Sequence, residues 1–257
     1  MPETSLFEQK WAGCPKPLVT EVPRPASLLL VGNSFFFFNN GICRWIRKLL
    51  AGATPPAKLR TNMAAINGAS LTWHDVESYF RPGAISSYRF SPENEVIFRD
   101  PSEKLWDAVI LLDSSQGPIH PTLGPVFAET AAKDCEIARS HGATPIFLAT
   151  WGYADKPGMT AELARATVKV ANDCQALVLP VGFAFEEAMK GRPGLDLLIE
   201  DRRHPKPEGT YLMAAVIIEA LLGIDARSLA SDAGLEPELA AYLRGKAHET
   251  LCAFYGR

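Results

Sequence analysis

From Ser27 onward, short continuous apolar runs alternate with longer stretches in which apolar residues recur every three or four positions. Short continuous β-prone runs are typical of strands buried on both faces, and the three- to four-residue spacing is typical of helices with one apolar face. Strands that alternate with helices favour a parallel sheet covered by helices on both sides. The pattern therefore predicts the α/β fold class.

The boundaries of the elements follow from where each run stops. Five strands are predicted, at Ser27–Gly32, Leu59–Ile66, Ala108–Asp113, Thr144–Thr150 and Ala176–Val181. Six helices are predicted, at Ile42–Ala51, Val126–Ser140, Ala161–Gln175, Ala184–Lys190, Glu208–Leu222 and Pro237–Phe254. Residues 73–106 show no clear period, and their Pro82-Gly83 and Ser91-Pro92 pairs predict turns in a long excursion.

Two regions differ in composition. Prolines at positions 2, 15, 17, 23 and 25 prevent a sustained helix or a central strand, so residues 1–26 are predicted to form an arm on the surface. Residues 27–257 are long enough to build one sizeable core, and we expect a single domain there.

The balance of charged residues limits the classes of molecule that the protein is expected to bind. The 26 Lys and Arg residues nearly balance 29 Asp and Glu residues, giving a net charge of −3, and no basic stretch stands out. This composition argues against nucleic-acid binding and favours a small-molecule substrate, with a homo-oligomer left open. The apolar runs are too short or too broken to span a bilayer, and the N-terminus lacks the pattern of a secretory signal, so a cytoplasmic location is expected.

The five cysteines form neither a disulfide framework nor a zinc cluster, because no C-x-x-C pair occurs among them. No H-x-x-x-H, H-E-x-x-H or D-x-D pattern is present either. The sequence therefore predicts free thiols, no metal site and no cofactor.

Candidate chemistry lies at the strand exits, because ligands bind outside the carboxyl ends of the strands in open parallel sheets. Ser34 follows the first predicted strand, and Asp201 and His204 stand three residues apart in a loop that Pro205 keeps out of the next helix. A serine hydroxyl needs a base, and the base needs an orienting carboxylate, so these three residues predict a catalytic triad. His74 and His120 are weaker candidates for the base.

The same residues also have structural interpretations. Ser34 could cap the following helix or turn, His204 could be a half-exposed loop residue, and Asp201 could pair with Arg202 or Arg203.

Acyl transfer also requires N–H donors for the oxyanion of the tetrahedral intermediate. The main-chain N–H groups of Ser34 and Gly68 are predicted donors, because glycine lets the backbone approach a substrate closely. For the third donor we favour the side-chain amide of Gln116, which reaches further and donates better than the Ser115 hydroxyl.

Four blocks of sequence carry a resemblance to a known family: LLLVGNSFFFFNNG, INGASLTWH, VILLDSSQGP and DRRHPKPEGTYLMAA. Together they resemble the SGNH (GDSL-type) hydrolase superfamily, in particular a bacterial branch whose first block reads G-N-S. The resemblance implies a flavodoxin-like three-layer α/β/α sandwich and metal-independent ester hydrolysis. It also implies that Ser34 is the nucleophile, that Gly68 belongs to the oxyanion hole, and that Asp201 and His204 complete the triad.

The chain departs from that family at two places. Asn33 replaces the aspartate of the first block, and Ser115 occupies the position of the oxyanion-hole asparagine, with Gln116 next to it.

Aromatic residues near the strand exits predict the substrate contacts. Four phenylalanines, at positions 35–38, follow the nucleophile, and we expect Phe35 and Phe36, with Trp73 and Trp151, to bind substrate.

The leading interpretation is a serine esterase or acetylesterase acting on a small acyl ester or acetylated sugar. The alternative is a weakly active or inactive carbohydrate- or acyl-binding module. A nucleotide-binding role is disfavoured, because the first loop lacks a second glycine.

Overall fold

The computed structural model describes residues 6–257. The strands are β1 (Ser27–Gly32), β2 (Arg60–Ala65), β3 (Tyr88–Phe90), β4 (Val96–Phe98), β5 (Ala108–Leu111), β6 (Thr144–Leu148) and β7 (Leu177–Leu179). The α-helices are α1 (Leu6–Lys10), α2 (Ser34–Phe37), α3 (Ile42–Leu50), α4 (Leu123–Ser140), α5 (Met159–Asp173), α6 (Val181–Gly191), α7 (Pro207–Leu222) and α8 (Pro237–Tyr255).

Five of the strands form one parallel sheet in the order β2-β1-β5-β6-β7. Every residue of β1 and β5 is buried, as expected for the centre of a sheet that is covered on both faces. The predicted α/β class, the parallel sheet and its five strands are therefore confirmed.

Helices form a layer on either side of this sheet. α7 packs between α3 and α8, whereas α4 and α5 pack on each other and on β6. The apolar period explains the packing: α3 buries Ile42, Trp45, Ile46, Leu49 and Leu50, which recur at three- and four-residue steps. α7 is buried on all sides from Gly209 to Leu222 because it has neighbouring helices as well as the sheet around it.

The N-terminal arm differs from the prediction. The first five residues of the predicted arm lie outside the described residues, but α1 follows directly and was not predicted. Phe7 and Trp11 are buried, and the Trp11 ring stacks on Phe183 with centroids 4.6 Å apart. The prolines limit the helix to a short one, and the arm is anchored by aromatic side chains in the core.

The excursion at residues 73–106 contains short elements only. Val76–Phe80 forms a 3₁₀-helix, and β3 and β4 pair as an antiparallel hairpin apart from the main sheet. Elements this short have too few residues to show a period in the sequence.

All five cysteines are free thiols. Across residues 6–257, no helix is both long enough and apolar enough to cross a membrane.

Candidate active site

The turn after β1 places Ser34 at the carboxyl edge of the sheet. A Cβ atom at Gly32 would lie 2.9 Å from Leu112 Cβ and from the Phe36 ring, so only glycine allows this close packing. Asn33 caps α2 because its Oδ1 accepts a hydrogen bond from the Phe35 N–H at 3.2 Å. Ser34 is the first residue of α2, where a main-chain N–H has no partner within the helix.

The Asn33 side chain also joins three strand-exit loops. Its Nδ2 donates to the main-chain oxygens of Ala69, after β2, and of Asp113, after β5, at 3.1 and 2.9 Å. The Asp113 carboxylate accepts from the Leu71 N–H at 2.9 Å, and burial raises the pKa of this carboxyl. The loops that surround Ser34 therefore share one buried polar network.

Ser34, His204 and Asp201 form a hydrogen-bonded chain. Ser34 Oγ lies 2.8 Å from His204 Nε2, and His204 Nδ1 lies 2.5 Å from Asp201 Oδ2. The other oxygen of Asp201 accepts the main-chain N–H groups of Arg203 and His204 at 2.8 and 2.9 Å. Although partial burial opposes it, the hydrogen bonds from His204 and Arg203 lower the pKa of Asp201. The carboxylate thus stays ionised and orients the imidazole.

The neighbouring arginines pair elsewhere. Arg202 binds Asp196 at 2.8 Å, and Arg203 binds Asp155 at 2.6 Å. Asp201 is therefore left to His204, so the alternative in which this carboxylate pairs with an adjacent arginine is wrong.

Aromatic rings hold His204 in place. The Phe38 ring stacks on the imidazole with centroids 4.0 Å apart, and the Phe35 ring meets it edge-on at 5.5 Å. Asn39 Nδ2 donates to the Pro205 main-chain oxygen at 2.8 Å, which fixes the loop one residue further on. The sequence did not predict the contact of Phe38, because residues 38 and 204 are far apart along the chain.

The two other candidate bases have structural partners. His74 is buried, lies 2.9 Å from the Gly32 main-chain oxygen through Nε2, and has its pKa lowered by burial. His120 Nδ1 lies 3.0 Å from Thr122 Oγ1, at the start of α4. Neither ring pairs with Ser34.

Ser34 opens into a cavity of about 180 Å³. The residues that line it are Asn33, Ser34, Phe35, Asn67, Gly68, Ser114, Ser115, Tyr153, Arg203 and His204. Gly68 has a φ of +71°, as the third residue of a tight turn after β2 requires. Opposite wall residues are linked: Ser115 Oγ lies 2.5 Å from Tyr153 Oη, and the Arg203 guanidinium lies 3.7 Å from the Tyr153 ring centroid.

Several predicted contacts do not line this cavity. Gln116 is exposed and lines an adjacent cavity of about 370 Å³, because the following 3₁₀-helix, Gly117–Ile119, turns the chain away from Ser34. Phe36 is fully buried with its ring close to Gly32, and Trp73 points into solvent with 62% of its surface exposed. Trp151 is buried because it stacks on Phe185, with ring centroids 4.1 Å apart. Of the four predicted substrate contacts, Phe35 lines the cavity.

Other lining residues were not among the predicted contacts, including Asn67, Ser114, Tyr153 and Arg203. Tyr153 follows β6, and its position near a strand exit was the available signal. Arg203 was considered only as an ion-pair partner, although it directly precedes His204. Within the described part of the chain, the group of side chains with metal-binding geometry is Glu219, His248 and Cys252, which lies away from Ser34.

Several solved structures share this fold over most of this chain. A protein from Slackia heliotrinireducens, described as a candidate SGNH hydrolase, is 26% identical, with a TM-score of 0.55 over 76% of this chain and 98% of that one. The chain belongs to the SGNH hydrolase superfamily. The predicted superfamily is thereby confirmed, and its G-N-S branch stays a prediction. No family model and no curated protein matches the chain.

Two further structures share this fold at lower identity. A DUF4886 family protein from Bacteroides uniformis is 18% identical, with a TM-score of 0.57 over 87% of this chain and 93% of that one. A catalytic mutant of Axe2, an acetylxylan esterase from Geobacillus stearothermophilus, is 15% identical, with a TM-score of 0.54 over 78% and 96% of the two chains.

Proposed function

We propose that this SGNH protein is a metal-independent serine esterase that acts on a small acyl ester, with an acetylated carbohydrate as the favoured substrate class. The observation that carries the proposal is the chain from Ser34 Oγ through His204 to Asp201, with distances of 2.8 and 2.5 Å, at the mouth of a cavity. This order of hydroxyl, imidazole and carboxylate is the order that activates a serine nucleophile.

The reaction proceeds in two halves. Ser34 Oγ attacks the ester carbonyl carbon while its proton passes to His204 Nε2, and the carbonyl oxygen becomes an oxyanion. The intermediate then collapses, the C–O bond to the alcohol breaks, and His204 returns the proton to the leaving oxygen. Water attacks the acyl-enzyme by the same route, releasing the acid and restoring Ser34. Asp201 holds His204 in the tautomer that leaves Nε2 free to accept the proton.

The main-chain N–H groups of Ser34 and Gly68 are the proposed oxyanion donors. Both residues line the cavity. The third proposed donor is the Ser115 hydroxyl instead of Gln116, since Ser115 lines the same cavity and its oxygen is held by Tyr153 at 2.5 Å. If Tyr153 donates to Ser115, the Ser115 proton is free to point at the oxyanion.

The size of the cavity supports a small acyl group. Its volume of about 180 Å³ is below the roughly 300–1,000 Å³ of ligand pockets for larger molecules. The acetylxylan esterase among the similar structures supports an acetyl group on a sugar. We therefore expect p-nitrophenyl acetate to be hydrolysed faster than p-nitrophenyl octanoate.

The test combines labelling with hydrolysis. A fluorophosphonate should add to Ser34, located by mass spectrometry of peptides, and Ser34→Ala and His204→Ala should lower kcat for p-nitrophenyl acetate about a thousandfold or more. Ser102→Ala, a change at an exposed serine outside the cavity, is the matched control and should have no effect. Hydrolysis that survives Ser34→Ala contradicts the proposal. Ligand binding without hydrolysis by the unchanged protein would instead favour the binding-module alternative.

A further inference from the structure

A second cluster of chemically active side chains lies between α7 and α8. His248 and Cys252 stand four residues apart on α8, so they share one face of that helix, and Glu219 projects from the last turns of α7. The N-terminal end of α7 adjoins His204, and Glu219 lies twelve residues further on, about 18 Å along the helix. The cluster is therefore separate from the Ser34 cavity.

Three donor atoms surround one nitrogen of His248. Its Nδ1 lies 2.7 Å from Glu219 Oε1, 3.5 Å from Asp225 Oδ1 and 4.0 Å from Cys252 Sγ. The donor atoms of Glu219, His248 and Cys252 all lie within 4.8 Å of one another. Zinc–ligand bonds of about 2.0–2.3 Å in a tetrahedron separate the ligand atoms by about 3.3–3.8 Å. The distances from His248 Nδ1 to Glu219 Oε1 and to Cys252 Sγ, 2.7 and 4.0 Å, fall just below and just above this range.

The charges at the cluster favour a cation. Glu219 is 9% exposed, and among residues 6–257 its ion-pair partner is His248. Asp225 faces the same imidazole, while Arg227 binds the Asp225 carboxylate at 2.6 Å. Arg227 balances the charge of Asp225, whereas the buried Glu219 carboxylate faces His248 and accepts the Ala226 N–H at 2.8 Å, so a cation at the cluster would compensate the Glu219 charge.

The thiol completes a donor set of sulfur, nitrogen and oxygen. Cys252 Sγ lies 3.4 Å from His248 Nε2. Cys252 also lines a cavity of about 350 Å³ between the arm and α8, which gives an ion a route to the cluster.

We propose that Glu219, His248 and Cys252, with water as the fourth ligand, form a binding site for one Zn²⁺ ion. Binding displaces the proton from the Cys252 thiol and the proton shared by His248 Nδ1 and Glu219, and it places thiolate, imidazole and carboxylate around the metal. The ion ties α8 to the end of α7. Its role is structural, and it takes no part in the chemistry at Ser34.

The experiment uses Co²⁺ as a spectroscopic substitute for Zn²⁺ in the full chain, without a histidine tag and after treatment with EDTA. One equivalent of Co²⁺ should give a thiolate-to-cobalt charge-transfer band, and one equivalent of Zn²⁺ should remove that band. Zn²⁺ should also raise the melting temperature of the chelated protein, since it binds the folded state.

Variants locate the site. Cys252→Ser should abolish the charge-transfer band, and His248→Gln should weaken Co²⁺ binding about tenfold or more, with folding checked by circular dichroism. Cys43→Ser, at a cysteine on α3, is the matched control and should leave the band unchanged. The absence of a band at one equivalent in the unchanged chain overturns the proposal. A band that survives Cys252→Ser, or disappears with Cys43→Ser, overturns it as well.

Discussion

Trp151 Nε1 donates a hydrogen bond to the main-chain oxygen of Arg203 at a distance of 2.8 Å. Arg203 is the residue directly before His204, so a tryptophan buried after β6 fixes the loop that carries the imidazole. The Trp151 ring also packs against Phe35, with centroids 4.7 Å apart, and Phe35 is the residue directly after Ser34. One buried side chain thus contacts both neighbours of the Ser34–His204 pair.

Removing this hydrogen bond should slow catalysis more than it weakens binding. Trp151→Phe keeps an aromatic ring to stack on Phe185 but loses the donor. A net hydrogen-bond contribution of about 1 kcal/mol corresponds to about a fivefold change, so we expect kcat for p-nitrophenyl acetate to fall about fivefold with KM nearly unchanged. Steady-state kinetics measure both constants.

Trp106→Phe is the matched control for Trp151→Phe. Trp106 is also fully buried and donates from Nε1 to a main-chain oxygen, that of Tyr79 at 3.0 Å, but it lies before β5 at the opposite edge of the sheet. An equal loss of kcat in both variants would contradict a positioning role for Trp151.

Asn33→Asp should destabilise the protein even though it restores the aspartate of the G-D-S block. The Asn33 amide donates to two main-chain oxygens, and a carboxylate there would face both oxygens without a proton to share. Asn33 is only 4% exposed. We expect a loss of about 3 kcal/mol, or a melting temperature lower by about 6–12 °C at pH 8, with a smaller loss at pH 4, where the new carboxyl is protonated.

Asn94→Asp, in the exposed turn between β3 and β4, is the matched control for this change. Thermal unfolding of both variants at the two pH values is the measurement. An unchanged melting temperature for Asn33→Asp would show that the amide donors at position 33 do not stabilise the loops.

The third oxyanion donor can be assigned by comparing two adjacent residues. Ser115→Ala should lower kcat about 100- to 1,000-fold, because loss of one oxyanion donor costs about 3–4 kcal/mol. Gln116→Ala should have little effect, since this side chain lines the adjacent cavity. Tyr153→Phe should give an intermediate loss through the Ser115 hydroxyl. A larger loss of kcat in Gln116→Ala than in Ser115→Ala would instead identify Gln116 as the donor.

Asp134 should make stability depend on pH. This carboxyl on α4 is 3% exposed, its Oδ2 has no hydrogen-bond partner, and burial raises its pKa from 3.8 to about 7. Between about pH 4 and pH 7 the folded state therefore binds a proton that the unfolded state has released. The free energy of unfolding should fall as pH rises through this window, and the penalty is complete above pH 7.

Asp134→Asn should remove that penalty. We expect its melting temperature to exceed that of the unchanged protein by about 5 °C at pH 8.5 and by about 1 °C or less at pH 4. Glu136→Gln, at an exposed neighbour on the same helix, should show no such difference between the two pH values. Equal effects of Asp134→Asn at both pH values would contradict a raised pKa.

The large elements were predictable because their apolar periods are long enough to read. The predicted helix at Pro237–Phe254 ends one residue before α8 does, and the predicted first strand matches β1. α1 and α2, with five and four residues, escaped prediction because a single turn shows no period. Their packing depends on distant residues, such as Phe254 for α1.

Side-chain direction was the weakest part of the prediction. Phe36, Trp151 and Gln116 were expected around the nucleophile because each lies close to Ser34 or to a strand exit along the chain. The turn of α2 sends Phe36 into the core, stacking on Phe185 buries Trp151, and the 3₁₀-helix after Gln116 directs that side chain into another cavity. Proximity in sequence does not determine which face of an element a residue occupies.

The sequence by itself determined the α/β class, the five strands and the family, because buried runs, amphipathic periods and short motifs are local patterns. Only the tertiary structure decided that Asp201 pairs with His204 instead of an arginine, and that Glu219, 29 residues before His248, meets it across two helices. The first pairing depends on Asp196 and Asp155, which bind Arg202 and Arg203, and the second joins residues far apart along the chain, so both depend on how the whole chain packs.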